Sequence, residues 1–129
     1  MKVQNFEDLA IYQKSCELAT QVYKITRMGE FRFDTRFVQQ IRASAGSVSD
    51  NIAEGFERQG NKEFINFLYI AKGSCGEMRS QITRAHNVGF IDDETFNQMY
   101  TDCKKLSASI LKFIQSLKAS DVSGSRYLV

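Results

Sequence analysis

AGSVSDNIAEGFERQGNKEF, residues 45 to 64, brings Gly46, Gly55 and Gly60 together with an Asn-Ile-Ala-Glu-Gly run. Its reading decides the fold, because such residues serve either in a phosphate-binding loop or on the small-residue surface of a long helix. A phosphate loop needs GxxxxGK[ST] between a strand and a helix, and neither that spacing and context nor a dinucleotide fingerprint is present. The neighbouring apolar residues point to a helix. Phe37, Ile41, Ala45, Val48, Ile52 and Phe56 recur at steps of three and four, so the stretch continues an apolar stripe. Ser44, Ser47 and Gly55 then become small residues that let a second helix approach closely. Asp34 is placed to cap this helix, which is expected to run to about Arg58.

The same periodicity extends in both directions. Upstream, Leu9, Tyr12, Cys16, Ala19, Tyr23 and Thr26 mark one face of a first helix, expected from Asn5 to Met28. Ile11, Leu18, Val22 and Ile25 form a second apolar stripe on it. Downstream, Asn61 is the expected cap of a third helix carrying Phe64, Leu68, Ala71, Cys75, Met78, Ile82 and Ala85, with Gly89 closing it in a left-handed conformation. Asp92 caps a fourth, on which Phe96, Met99, Cys103, Leu106, Ile110, Phe113 and Leu117 repeat. Proline is absent. Short connections near residues 29–33, 59–60 and 89–91 favour antiparallel neighbours over an extended coiled coil. The expected fold is therefore all-α, an antiparallel up-down-up-down four-helix bundle over residues 1–118. Residues 119–129, ASDVSGSRYLV, lose the periodicity and read as a flexible tail.

A chain of 129 residues with 43% apolar and 25% charged residues is one ordinary folded domain. It has no apolar run of membrane-spanning length and no signal-peptide core, so a cytoplasmic protein without a membrane partner is expected. Cys16, Cys75 and Cys103 sit in apolar helical patterns and read as reduced core residues. His86 is the one histidine and has no ligand set to join, so neither metal nor cofactor is expected. The net charge of +2 does not imply nucleic-acid binding. Residues 24–42 are locally basic, however, with Lys24, Arg27, Arg32, Arg36 and Arg42 against Glu30 and Asp34. With Lys72 and Arg79 on the third helix, these are the candidate contacts to a phosphate backbone.

Beside the apolar stripe of the second helix lies a polar ridge that includes Asn51, Glu54 and Arg58. Glu54 precedes Arg58 by four residues, the favourable order for an ion pair. If the ridge is buried it needs partners, and Ser74, Glu77 and Gln81, at steps of three and four on the third helix, can supply them. Asn51, Glu54, Arg58, Ser74 and Glu77 form the expected structural polar motif. Glu54 and Glu77 are also the one candidate pair for acid–base chemistry, but no histidine, cysteine cluster or third acid accompanies them, and no catalytic residue is assigned.

QIRASAGSVSDNIAEGFER, Gln40 to Arg58, resembles the signature of the S23 ribosomal protein-like family, whose members are encoded in some bacteria within intervening sequences of 23S ribosomal RNA genes. Gln40, Ile41 and Arg42 match the opening of that signature, Ser47 and Val48 its middle, Asn51 to Gly55 its core and Arg58 its end. Phe67, Leu68, Ala71, Gly73, Ser74 and Glu77 match a second element, and Phe6, Glu7, Asp8, Leu9 and Tyr12 fit the family's start. Ser49 stands where the family usually has proline. The resemblance implies a four-helix bundle similar to the accessory protein of diversity-generating retroelements, which is a pentamer with a basic surface. By that resemblance the chain is expected to form a homo-oligomer, five copies being the implied count. Ile11, Leu18, Val22 and Ile25, with Tyr100, Leu111 and Ile114 on the fourth helix, are the candidate interface. The expected function is a non-enzymatic homo-oligomeric interaction scaffold; the alternative is an accessory protein that binds RNA or other nucleic acid. Another protein is the remaining candidate partner.

Overall fold

The computed structural model describes residues 3–58 and 60–121. Four helices follow one another: α1 (Ala10–Ile25), α2 (Thr35–Glu57), α3 (Asn61–Asn87) and α4 (Asp93–Asp121). Short 3₁₀ turns at Phe6–Asp8 and Phe31–Phe33 precede α1 and α2. α2 lies against α3 and α3 against α4, while α1 closes the bundle by touching both α2 and α4. This is the antiparallel up-down-up-down arrangement that the short connections imply.

The helix ends follow from local chemistry. The Asp34 carboxylate accepts from the backbone N–H of Phe37 at 3.2 Å, and Asp92 accepts from that of Thr95 at 2.8 Å, so both caps stand where the sequence puts them. Hydrogen bonds from the hydroxyl and N–H of Thr95 hold the Asp92 carboxyl below its usual range. Gly89 ends α3 at φ +82°, a conformation that glycine adopts without strain.

Three details differ from expectation. The first helix does not start at Asn5 or run to Met28, because Leu9 is extended (φ −75°, ψ 129°) and separates the 3₁₀ turn from α1. Thr26 then folds its hydroxyl back onto the Val22 carbonyl at 2.7 Å just past the last helical residue. Asn61 is not a cap. Gly60, at φ +91°, takes that position, and the buried Asn61 side chain instead donates to the Leu117 carbonyl of α4 at 3.4 Å. Finally, α4 runs on to Asp121, beyond residue 118. The rest of the expected tail lies outside the described residues.

One core runs the length of the bundle, and its widest side chains, Phe31, Phe64, Ile41, Ile52 and Leu68, are almost wholly removed from water. Fully burying such a side chain contributes about 1.5–3 kcal/mol. On α1 the two apolar stripes exchange roles. Ile11, Leu18 and Val22 are buried among the core, whereas Tyr12, Cys16 and Ala19 are only half-buried and Tyr23 is 41% exposed. Ile11, Leu18, Val22 and, on α4, Ile114 thus lie inside the chain's own core rather than on an outer face. Three- and four-residue steps fit both stripes of α1 equally well, and only the neighbouring helices decide which one faces inward.

Candidate functional site

The α2/α3 seam is built around the Asn-Ile-Ala-Glu-Gly run of α2. Gly55 faces α3 so closely that an added Cβ would stand 2.6 Å from Phe67 Cβ and 2.9 Å from Phe64 Cδ1. The glycine of the Asn-Ile-Ala-Glu-Gly run is therefore a packing glycine inside a helix. One and two turns before it, Asn51 Nδ2 donates to the Ser47 carbonyl at 2.8 Å and to Ser47 Oγ at 2.9 Å, and Ser47 Oγ shares a 2.9 Å hydrogen bond with Ser74 Oγ across the seam. Asn51, Ser47 and Ser74 thus form one network, half-buried and satisfied.

Glu54 and Arg58 form a second, separate group at the end of α2. The Arg58 guanidinium donates to Glu54 Oε2 at 2.8 Å, lies 3.9 Å from Glu63 Oε2, and sits over the Phe67 ring at 5.0 Å. These groups are about half exposed, and solvent screening leaves such a pair little weight in stability. Glu77 joins neither group. With Ser47 opposite Ser74, the antiparallel register puts Glu54 opposite Phe67 and Glu77 opposite Ser44, so the two carboxylates stand about ten residues, or roughly 15 Å, apart along the helices. The seam does not bring them together as a catalytic pair.

Glu77 belongs instead to an outward-facing groove of about 550 Å³ between α2 and α3. Gln40, Ala43, Ser44 and Ser47 of α2 line it with Glu77, Ser80, Gln81 and Arg84 of α3. Gln81 is only 7% exposed, and its carboxamide oxygen has no hydrogen-bond partner. Toward the end of the bundle the surface continues past Arg36, Val88 and Phe90, with Arg84 resting over the Phe37 ring at 4.2 Å. Gln81, which the three- and four-residue steps of α3 place with Ser74 and Glu77, lies in this groove and not in the Asn51 network.

The seven candidate phosphate contacts do not share one face. Arg42 and Arg27 flank the exposed Tyr23 ring at 4.4 and 5.8 Å, and Arg42 Nε donates to the buried Thr26 hydroxyl at 3.0 Å. This α1/α2 cluster fixes a guanidinium in one orientation, and neither arginine has an ion-pair partner among the described residues. Arg36 lies on the α2/α3 side, while Lys24 lines the α1/α4 side with Gln21 and Asp92. Arg32 covers Phe33 in the connection before α2. Arg79 lies over Tyr100 of α4 at 5.7 Å, and the half-buried Lys72 stands two turns before it on α3. Of the remaining candidate interface residues, Ile25 and Tyr100 are half-buried and Leu111 is 37% exposed.

On the other side of α3, Cys75 Sγ donates to the Cys103 carbonyl of α4 at 3.3 Å. Hydrogen bonding with Cys75, followed by burial, pushes the Cys103 thiol well above its usual range, so it stays protonated and unreactive. His86 pairs with Asp93 at 2.7 Å and stacks on Phe96. Among the described residues no group of three His, Cys, Asp or Glu side chains could hold a metal ion, and no helix is long and apolar enough to cross a membrane.

A four-helix bundle whose second helix carries this glycine-centred seam matches the family model of the 23S rRNA-intervening sequence protein over residues 7–112. The chain belongs to that family. Its fold is similar to that of a protein of unknown function of the S23 ribosomal protein family from Bacteroides thetaiotaomicron VPI-5482. The likeness covers 81% of this chain and 98% of that one, with 23% sequence identity and a TM-score of 0.74. No curated protein matches the chain. The family resemblance of the Gln40–Arg58 stretch is therefore correct, and the solved relative, at 23% identity, shows the fold alone.

Proposed function

We propose that the protein is a non-enzymatic bundle that acts as a homo-oligomeric interaction scaffold. The supporting observation is what remains outside once the core is filled. Ile70 is 52% exposed, Val88 56% and Phe33 71%, with Tyr69 and Leu111 also outward. Large apolar side chains left on several faces of a small bundle favour burial against further protein, and closed symmetry covers such faces repeatedly without leaving open ends. Since four of the seven candidate interface residues serve the chain's own core, the contact is assigned to these outer side chains and to Ile25, Tyr100 and Leu111. The family resemblance implies five copies. Light scattering across a dilution series tests the reading: a mass of several times 14.7 kDa is expected, and a stable 14.7 kDa species at micromolar concentration sinks it.

One observation favours a second reading, binding of an RNA backbone. It is the Arg27–Tyr23–Arg42 cluster, where a guanidinium is held in place with no ion-pair partner among the described residues. Repetition around an oligomer multiplies a weak patch through effective concentration. Titration of single-stranded and structured RNA at low and near-physiological salt should show binding that falls steeply with salt and is lost in Arg42→Glu. Binding indifferent to both salt and this substitution removes the reading.

A further inference from the structure

The Arg27–Tyr23–Arg42 cluster has the size of one phosphate group rather than of a strand. Thr26, buried just past the end of α1, donates its hydroxyl hydrogen to the Val22 carbonyl at 2.7 Å and accepts from Arg42 Nε at 3.0 Å. That bond fixes the plane of the Arg42 guanidinium over the Tyr23 ring, whose centre lies 4.4 Å from the guanidinium carbon. Nε is thereby committed, while neither Nη group has a partner among the described residues. Two parallel N–H groups held in one plane match two oxygens of a single phosphate. Arg27, exposed and over the same ring at 5.8 Å, brings a second positive charge that has no ion-pair partner among the described residues.

The surroundings decide what kind of phosphate fits. Arg32 covers Phe33, Arg36 lies on the α2/α3 side, Lys24 on the α1/α4 side and Arg79 over Tyr100, so none of these candidate groups extends the cluster into a track for successive phosphates. With two guanidinium groups over it, Tyr23 orients cations instead of offering a stacking platform to a base. An internal phosphodiester presents two free oxygens and a single negative charge. A phosphate monoester presents three and carries about −1.5 to −2 at neutral pH. Two guanidinium charges on one isolated cluster match the monoester.

We infer that this cluster holds the terminal phosphate of an RNA chain, with the Arg42 fork on two of its oxygens and Arg27 neutralising its second charge. The inference rests on the RNA reading and narrows it from the backbone to a chain end.

The test uses one single-stranded oligoribonucleotide in three forms: with a 5′-phosphate, with a 3′-phosphate, and with hydroxyls at both ends. Each is titrated against the whole protein by fluorescence anisotropy, at low and near-physiological salt. One phosphorylated form should bind about tenfold or more tightly than the hydroxyl form, the weight of one charge-assisted contact. Arg42→Lys keeps the charge but loses the fork, and should abolish that preference while salt-dependent binding to all three forms persists. Thr26→Val, close in shape, removes the acceptor that orients Arg42 and should reduce the preference; circular dichroism of both variants separates this from loss of fold. Equal binding of the three forms overturns the chain-end assignment, and the backbone reading stands if that binding is lost in Arg42→Glu. If no form binds even at low salt, the two readings fall together. A preference that survives Arg42→Lys puts the phosphate elsewhere on the protein and the assignment is wrong. It is equally wrong if a phosphoserine peptide binds through Arg42 as tightly as the phosphorylated RNA, since the ligand is then a modified protein.

Discussion

α3 has two seams, and they are built on opposite principles. Toward α4 it meets side chains that fill space: Phe64 packs edge-on against Phe113, and Cys75 donates into the backbone of Cys103. Toward α2 the space is removed instead, by Gly55 under Phe67 and by the Ser47–Ser74 contact. The difference teaches where each seam is vulnerable. A filled seam is damaged by taking atoms away, whereas a close seam is damaged by adding them.

The largest expected effect comes from emptying the filled side. Ile110 on α4 is wholly buried, and Ile110→Ala should cost about 2–5 kcal/mol in urea unfolding, with the midpoint moving and the slope kept. Gly55→Ala breaks the close seam from the opposite direction. Alanine ordinarily gains about 1 kcal/mol over glycine in a helix, yet here its Cβ meets a neighbouring Cβ at 2.6 Å, and a net loss of about 1–3 kcal/mol is expected. If Gly55→Ala stabilises the protein in thermal melts, the helices are free to separate and the contrast between the seams is wrong.

The polar part of the close seam predicts a smaller change. Asn51→Ala removes two hydrogen bonds but leaves Ser47 bound to Ser74, so a loss of about 1 kcal/mol is expected by differential calorimetry. A loss as large as that of Ile110→Ala would make the network, rather than close approach, the basis of the seam. Smallest is the pH response at the start of α4, outside both seams. The folded-state pKa of Asp92 is depressed, so its contribution is present above the ordinary value of 3.8 and fades as pH falls through the lower folded value. Asp92→Ala should flatten stability over that acid range and leave the neutral-to-acid comparison of the two seams unchanged.

Much of this was legible in residue spacing, and the failures have specific causes. The core stripes of α2, α3 and α4 follow directly from their three- and four-residue steps, and the caps at Asp34 and Asp92 from residue type. On α1 both stripes are apolar, and the inward one is selected by contact with α2 and α4, which no local pattern contains. Asn61 has the residue type of a cap, but a left-handed Gly60 beside it takes that role and frees the side chain for a long-range bond. Among candidate site residues, Asn51 and Ser74 come together as the ridge implies. Glu54 and Glu77 do not, because a shared face on each helix says nothing about register between helices. The basic residues scatter for a similar reason: their nearness in sequence spans a turn and two antiparallel helices, which carry them to different sides.

The bond from Asn61 to the Leu117 carbonyl joins residues 56 positions apart. Its consequence concerns synthesis. A chain emerging from the ribosome amino terminus first presents α1, α2 and α3 before the last turns of α4 exist, so the buried amide at the head of α3 cannot reach that acceptor, and α3 has no α4 to cover its second side. Until the last turns of α4 emerge, the side of α3 that α4 covers in the folded chain stays open. Slowing elongation after residue 87 would prolong that exposure and raise the demand for chaperones, whereas slowing it within α1 would not.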